Sequence, residues 1–420
     1  MDEKFVIKGK KPLQGEVEIR GYKNAIGVLC ASLLTDKEVI IENLPLVEDC
    51  FTIIDILKDM GAKIEWIGKR KIKIMAKNIN PNSIDAEKFT KTRISVLLLG
   101  PLVARFGNFK IPHPGGDKIG LRPIDTHLIA FRKMGVEIKE QGDFYYFTTK
   151  KLAPTEIILK EFSVTATENV MLSACLIPGK TIIKLSACEP QVQNLGEMLI
   201  KMGVDIKGLG THTIIIQGKK KLKGVEHRII SDPIETATFI IAGAITPGKV
   251  KVKNICLEHI DVFLDKLKEI GVNFEINSKN SLTVDYSPKL KPVKLQTFFY
   301  PGFPTDFLPF TSVLLTQAKG KSLIHDSLYE ARFNHLHELR KMGADIEIVD
   351  PHRAIIFGKT PLNGLTINSW DIRAGASLVV AGLLAKGETV LKDIYQIDRG
   401  YEKIEERLQS LGANIQRKES

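Results

Sequence analysis

The chain has 420 residues, of which 44% are hydrophobic and 26% charged, and it carries a formal net charge of +11. That length exceeds what one ordinary core organises, so two domains are expected, and the composition is that of a soluble globular protein. No run approaches the eighteen apolar residues a membrane helix needs, and MDEKFVIKGKK at the N-terminus lacks the apolar stretch of a secretory signal, so a cytoplasmic protein with no membrane partner is expected.

The first predicted element is a buried helix across NAIGVLCASLLTDKE, followed by an amphipathic helix that closes on ILKDMGAKI. The same pair then returns: TRISVLLLGPLVARFGN with FRKMGVEI, TENVMLSACLIPGK with LIKMGVDI, and IETATFIIAGAITPGK with KLKEIGVNF. FLPFTSVLLTQAKGK with LRKMGADI and RAGASLVVAGLLAKGE with RLQSLGANI complete six copies. The closing glycines are Gly61, Gly135, Gly203, Gly271, Gly343 and Gly412, at intervals of 74, 68, 68, 72 and 69 residues. A glycine just past a helix takes the left-handed position without a Cβ penalty. Apolar residues before it fall at helical spacing (Leu264, Leu267, Ile270), and those after it alternate as in a half-buried strand (Ile346, Ile348). The first helix of each pair is apolar nearly all round and is therefore expected inside. Near-constant recurrence predicts a repeat protein of the α/β class, with six units of about 70 residues arranged three per domain.

The five cysteines, at positions 30, 50, 175, 188 and 256, are scattered and form no CxxC or Cys/His cluster, which argues against a disulfide framework and against structural zinc. No Walker A or GxGxxG fingerprint follows a strand, so nucleotide hydrolysis and dinucleotide binding lack support. The positive charge leaves three classes open: nucleic-acid binding, a lysine-rich surface, or a site for anionic substrates. Most lysines are dispersed in pairs over the chain, which suits a solvated surface, whereas cations recurring at equivalent loops of the repeat point to an anionic substrate. Lys23 and Asn24 enter the first buried helix, Arg93 the second, and Asp371 with Arg373 the sixth, where helix N–H groups already favour anions. Arg122, Arg332 and Arg399 lie in loops entering the amphipathic helices. Recurring arginines suit a small polyanion carrying phosphate and carboxylate. Two acidic loops join them: FPTD, whose Asp306 reads by itself as an N-cap, and PGGDKIG, with Asp117 at a glycine-rich tip.

These segments resemble a known family. GYKNA, KTR, GPLVARFG, PGGDKIGLRPIDTH, FPTD, EARFNH, DIRAGASL and IDRGYEKIE are similar, in order and spacing, to the motifs of UDP-N-acetylglucosamine enolpyruvyl transferases. The resemblance implies a two-domain inside-out α/β barrel with the active site in the cleft between domains. One domain would comprise residues 1–22 and 231–420, closed by both termini, and the other the inserted residues 23–230 with the PGGD loop. It implies transfer of enolpyruvyl from phosphoenolpyruvate to the 3-hydroxyl of UDP-N-acetylglucosamine with loss of phosphate, opening peptidoglycan synthesis, without metal or cofactor. Asp117, Asp306, Lys23 and Arg399 match catalytic positions. Lys23, Asn24, Arg122, Arg332, Arg373 and Arg399 match positions around phosphoenolpyruvate. Asn24, Arg93, Arg122, Thr305, Asp306 and Leu328 match sugar-nucleotide contacts, with Asp306 as base for the 3-hydroxyl. Pro123, Ile124, Asp125 and Thr126 match the uridine loop, and Ser163 and Val164 the diphosphate turn.

The chain also departs from the family's usual pattern. Asp117 stands where cysteine is usual; both can deliver a proton, although free aspartic acid titrates near 3.9 and free cysteine near 8.5. Loss of that thiol removes the nucleophile fosfomycin alkylates, so intrinsic fosfomycin resistance is expected. Thr165 replaces a glycine near the expected diphosphate, Pro233 and Ala237 replace Arg and Gly, and EPQVQN, with Gln191 and Asn194, replaces EPEIVD. The acceptor therefore stays open between a UDP-sugar, a nucleoside phosphate and shikimate 3-phosphate. A basic RNA-binding or RNA-end-processing repeat protein is the alternative from another class.

Overall fold

The computed structural model describes residues 3–117 and 119–419. They fall into two compact units: residues 3–20, 119–121 and 231–419 in the first, and residues 21–117 and 122–230 in the second. Each unit places three apolar helical segments inside and three sheets outside, the inside-out α/β arrangement, with six repeats of one plan.

In the first unit the inner helices are Pro233–Ile245, Leu308–Leu315 and Ile372–Leu384, every residue of which is buried. They pack against one another. Three amphipathic helices, Asp261–Ile270, Asn334–Lys341 and Ile404–Ser410, bury one stripe each. Each sheet sets an antiparallel trio beside one parallel strand, as in Asn273–Ser278, Ser281–Asp285 and Gly248–Lys253 with Leu13–Glu18 along the last. In the sheet that closes the unit, the N-terminal strand Glu3–Lys8 lies between Glu388–Lys392 and the C-terminal Asn414–Glu419, antiparallel to both. The sixth repeat thus borrows its middle strand from the start of the chain.

The second unit follows the same plan with two irregularities. Its sheets have Val39–Glu42, Gly179–Lys184 and Phe144–Thr149 as inner strands, and the last has three strands where the others have four. Only its third inner helix, Val164–Ala174, is α-helical throughout. The first runs as 3₁₀ turn Lys23–Ile26, α-helix Gly27–Ala31 and 3₁₀ turn Ser32–Leu34, and the second as 3₁₀ Arg93–Leu98 before α-helix Leu99–Arg105. Pro101 explains the second break, because proline has no N–H for the carbonyl of Leu97 four residues earlier and its ring crowds that group.

The glycine that closes each amphipathic helix has a left-handed backbone, as the recurrent phrase requires. At Gly271, φ is 92° and the N–H donates to the carbonyls of Leu267 and Lys268; the other five glycines have φ between 100° and 105°. All five cysteines are free thiols, and no helix among the described residues is long and apolar enough to cross a membrane. Close approach of helix to sheet is set by Gly243, where a Cβ would stand 2.6 Å from Val284 Cγ1 and 3.2 Å from Val250 Cβ. Gly243→Ala should therefore lower the free energy of unfolding by about 1–3 kcal/mol, the range for overpacking a tight core; urea denaturation measures it.

Candidate active site

Two groups of side chains stand where inner helices begin, one in each unit. In the second unit Lys23 opens the first inner segment, is 7% exposed, and pairs with the equally buried Asp49 at 2.8 Å. Asn24 donates to the Tyr22 hydroxyl at 3.1 Å. Arg93 opens the second segment and donates to the carbonyls of Arg122 at 2.6 Å and Pro123 at 3.3 Å. The start of the second helix thereby holds the backbone at Arg122 and Pro123, just before helix Asp125–Lys133. The glycines before Asp117 let the main chain lie close: a Cβ on Gly115 would stand 1.8 Å from the Thr90 carbonyl oxygen, and one on Gly116 2.8 Å from Arg93 Cβ. Asp117 and Arg122 are half-buried, Pro123 and Asp125 are exposed, and Ile124 and Thr126 are buried. Thr126 donates to Glu161 at 3.1 Å. Ser163 caps the third helix, its hydroxyl accepting from the Ala166 N–H at 3.3 Å, and Val164 is that helix's first residue.

In the first unit Asp306 joins two arginines from different repeats. Its Oδ1 accepts from Arg332 at 2.5 Å and its Oδ2 from Arg373 Nε at 3.1 Å. The expected N-cap role for Asp306 does not occur. The Thr305–Phe307 turn is 3₁₀, and the following helix, with Pro309 in its first turn, is capped by no side chain, so the carboxylate is left to face the guanidinium groups. Burial works against the charge of Arg332, but Asp306, Asp371 and Asp326 around it outweigh that cost and raise its pKa. Arg373 lies over the Tyr401 ring, 5.8 Å from its centre, and the Tyr401 hydroxyl meets Thr238 at 2.8 Å. Arg399, 6% exposed, donates to Gln396 at 2.9 Å. Arg332, Arg373 and Asp306 thus form one cluster, Lys23 and Asn24 begin one segment, and Arg93 and Arg122 meet through a backbone carbonyl.

Several residues that organise these groups carry no signal in the sequence. Asp326 is buried and collects Thr305 Oγ1 at 2.5 Å, Thr297 Oγ1 at 3.1 Å, and the Leu328 and Tyr329 N–H groups at 2.9 and 3.2 Å. One carboxylate therefore holds both Thr305 and Leu328. Arg417, in the last strand, clasps Asp398 with two donors at 2.7 and 2.9 Å and also reaches Glu3 and Glu405 at 2.7 Å each. This anchors the turn that presents Arg399. Asp371, which the sequence already marks at the entrance of the sixth inner helix, caps it through the Arg373 and Ala374 N–H groups at 2.8 and 2.9 Å. Among the described residues no group of three or more His, Cys, Asp or Glu side chains is arranged to hold a metal ion.

A profile of EPSP synthase (3-phosphoshikimate 1-carboxyvinyltransferase) matches residues 7–408. Proteins named UDP-N-acetylglucosamine 1-carboxyvinyltransferase are similar over the whole length. That of Koribacter versatilis is 43% identical, covering 99% of this chain and 96% of its own, and that of Caldanaerobacter subterraneus subsp. tengcongensis is 43% identical over 100% of both. This chain belongs to the UDP-N-acetylglucosamine 1-carboxyvinyltransferase group of the EPSP synthase family. Solved structures share the fold at lower identity. The enolpyruvyl transferase NikO from Streptomyces tendae superposes with TM-score 0.89 at 24% identity over 99% of both chains. EPSP synthase from Acinetobacter baumannii does so with TM-score 0.75 at 19% identity over 100% of both. Family membership matches the reading of the motifs.

Buried ionisable groups near these clusters give the fold a pH dependence. Burial, together with the charges of Arg93 and Arg332, pushes the pKa of His127 and of His335 from 6.5 down to about 3, and burial brings His227 to about 4. Between those values and 6.5 the folded chain binds fewer protons than the unfolded chain, so their contribution is present above pH 6.5 and is lost as the pH falls. Asp232, pushed by burial up to about 6, works in the opposite direction over part of that range. Glu168 and Asp398, raised by burial, act in the same sense as Asp232, and His259, lowered by burial, acts with the other three imidazoles, so four imidazoles stand against three carboxyls. The unfolding free energy from urea denaturation should fall as the pH is lowered from 7 to 5, by up to about 1.4 kcal/mol per pH unit for each imidazole titrating only in the unfolded chain. His335→Gln should flatten the dependence.

Proposed function

We propose that this chain transfers the enolpyruvyl group of phosphoenolpyruvate to the 3-hydroxyl of UDP-N-acetylglucosamine and releases phosphate, the first committed step of peptidoglycan synthesis. It does so as a cytoplasmic enzyme acting on small molecules, without nucleic-acid or membrane partners. The observation that carries the reading is the Asp306 cluster: a carboxylate on a pair of almost fully buried arginines, in a chain whose full-length relatives bear that enzyme name.

In the addition step the sugar O3 bonds to C2 of phosphoenolpyruvate, the O3 proton passes to a base, and C3 takes a proton to become a methyl group. In the elimination step the bond from C2 to the phosphate oxygen breaks, phosphate leaves, and C3 returns a proton to restore the double bond. Cations must hold phosphate and carboxylate throughout, and positioned acids and bases must move the protons. Lys23, Arg122 and Arg399 take the phosphate, and Asn24, next to Lys23 in the chain, also serves phosphoenolpyruvate. Arg332 and Arg373 take the carboxylate. Arg332 Nε is buried with no acceptor among the described residues, so it retains donor capacity for an incoming anion. A substrate carboxylate competes with Asp306 for the same guanidinium groups, and that competition leaves an Asp306 oxygen available to receive the O3 proton. Asp117 delivers the proton to C3. Arg93, Thr305 and Leu328 hold the sugar nucleotide; Pro123, Ile124, Asp125 and Thr126 hold uridine; Ser163 and Val164 hold the diphosphate.

The test is phosphate release from phosphoenolpyruvate with UDP-N-acetylglucosamine, UMP and shikimate 3-phosphate compared side by side. Turnover should be fastest with the UDP-sugar, and release with either other acceptor alone would replace the reading. Lys23→Ala and Arg399→Ala should each lower kcat/KM by at least ~100-fold, the scale of losing a principal electrostatic contact, with the far-ultraviolet circular dichroism unchanged. Fosfomycin should produce no time-dependent inactivation of the unmutated enzyme and should inactivate Asp117→Cys, because only the thiol offers it a nucleophile.

A further inference from the structure

Thr165 is the second residue of helix Val164–Ala174 and is half-buried. Its hydroxyl oxygen lies 3.1 Å from Nε2 of the buried His127, at the start of helix Asp125–Lys133. Which of the two donates is decided one step further in. Nδ1 of His127 lies 2.9 Å from Asn169 Nδ2. The Asn169 amide is fixed in one orientation, because the Gly100 N–H points at its Oδ1 at 2.7 Å and its Nδ2 also faces the Val96 carbonyl oxygen at 2.9 Å. An amide NH₂ group donates and has no lone pair to give, so His127 Nδ1 must accept. His127 is kept neutral by its burial and by the charge of Arg93. Its single ring proton therefore sits on Nε2 and is donated to Thr165 Oγ1.

A threonine hydroxyl that accepts from an imidazole still carries its own hydrogen. Among the described residues Thr165 Oγ1 has no other partner, so that hydrogen has no acceptor in the chain. It stands at the helix start beside the Val164 and Thr165 N–H groups, while the Ser163 hydroxyl serves the Ala166 N–H. One of its two lone pairs faces His127 and its hydrogen remains to be placed, so the hydroxyl can meet a ligand as a donor. Such a group matches a phosphate oxygen.

We propose that Thr165 is a nucleotide-recognition residue whose hydroxyl donates to the diphosphate of the acceptor, and that His127 and Asn169 are positioning residues that fix the direction of that bond. The inference rests on the reading of Ser163 and Val164 as the diphosphate turn. It ties the uridine loop to that turn as one unit, because His127 directly follows Thr126 and reaches across to Thr165.

The test compares UDP and uridine binding by calorimetry, together with KM for both substrates. Thr165→Val keeps the branched shape and removes the hydroxyl, and should weaken UDP roughly tenfold, the scale of one hydrogen bond to a charged group. Uridine affinity and KM for phosphoenolpyruvate should stay within about twofold, and Thr165→Ser should restore most of the loss. His127→Gln should weaken UDP in the unmutated background and add little to Thr165→Val; a merely structural histidine would cost the same in both. Unchanged UDP affinity in Thr165→Val overturns the proposal, as does an equal loss of uridine. Phosphate release by the unmutated protein with UDP-N-acetylglucosamine keeps the function standing in either case. Failure of the unmutated protein to bind UDP at all would remove the diphosphate reading and this proposal together.

Discussion

Burying a guanidinium or ammonium group removes its hydration, and that loss is tolerable only where an anion and further hydrogen bonds replace the water. Lys23, Arg332, Arg373 and Arg399 are each at least nine-tenths buried, and the structure around them is an arrangement of replacements. Asp49 answers Lys23, and Asp306 answers both Arg332 and Arg373. The turn carrying Arg399 is held from behind, since Arg417 grips the neighbouring Asp398. Asp49 and Asp306 could give way to an anionic substrate. Under the proposed function, cations prepared in this way need little reorganisation when phosphate and carboxylate arrive, the condition under which electrostatic stabilisation acts most strongly.

The inside-out architecture is what puts those charges at helix entrances. An inner helix with no polar face can start only where its first N–H groups find acceptors, and at its start the partial positive charge of the helix favours anions. Six apolar helices packed three to a unit therefore produce a limited set of places where polar side chains must gather. The sheets and amphipathic helices repeat with little variation, while the loops entering the inner helices differ from one repeat to the next. Repetition accordingly describes the framework and says little about chemistry.

Much of this was legible in the sequence because it depends on local signals. The closing glycines mark left-handed residues, the all-apolar runs mark inner helices, and the motifs carry the family. The break in the second inner helix was also written locally, at Pro101, although the run reads as one helix by hydrophobicity alone. What was not legible depends on meetings between distant residues. Asp49 lies 26 positions from Lys23, Asp326 joins Thr305 to Leu328 and Thr297, and Arg417 reaches Glu3 at the opposite end of the chain. His127 and Asn169 look unremarkable one by one, and Thr165 stands out only as a departure from glycine; their tautomer and donor directions exist only as a network. A carboxylate on an amphipathic helix reads as solvated until the fold supplies its partner, so periodicity could not separate Asp49 from an ordinary surface acid.

The fate of the aspartates at the three helix entrances of the first unit separates architecture from chemistry. Asp232 and Asp371 hold equivalent positions and behave alike, each using Oδ1 to accept from the second and third N–H groups of its helix. A carboxylate so engaged is committed to capping, and only the residue after it is free to vary: Pro233 follows Asp232, whereas Ile372 and the guanidinium of Arg373 follow Asp371. In the remaining repeat a 3₁₀ turn and Pro309 start the helix without a side-chain cap, so Asp306 is relieved of that duty. It turns instead to Arg332 and Arg373, the second of these supplied by the capped entrance of the next repeat. Two like uses of one device within the unit thus frame the place where it is abandoned, and under the proposed function the uncapped carboxylate is the base for the 3-hydroxyl.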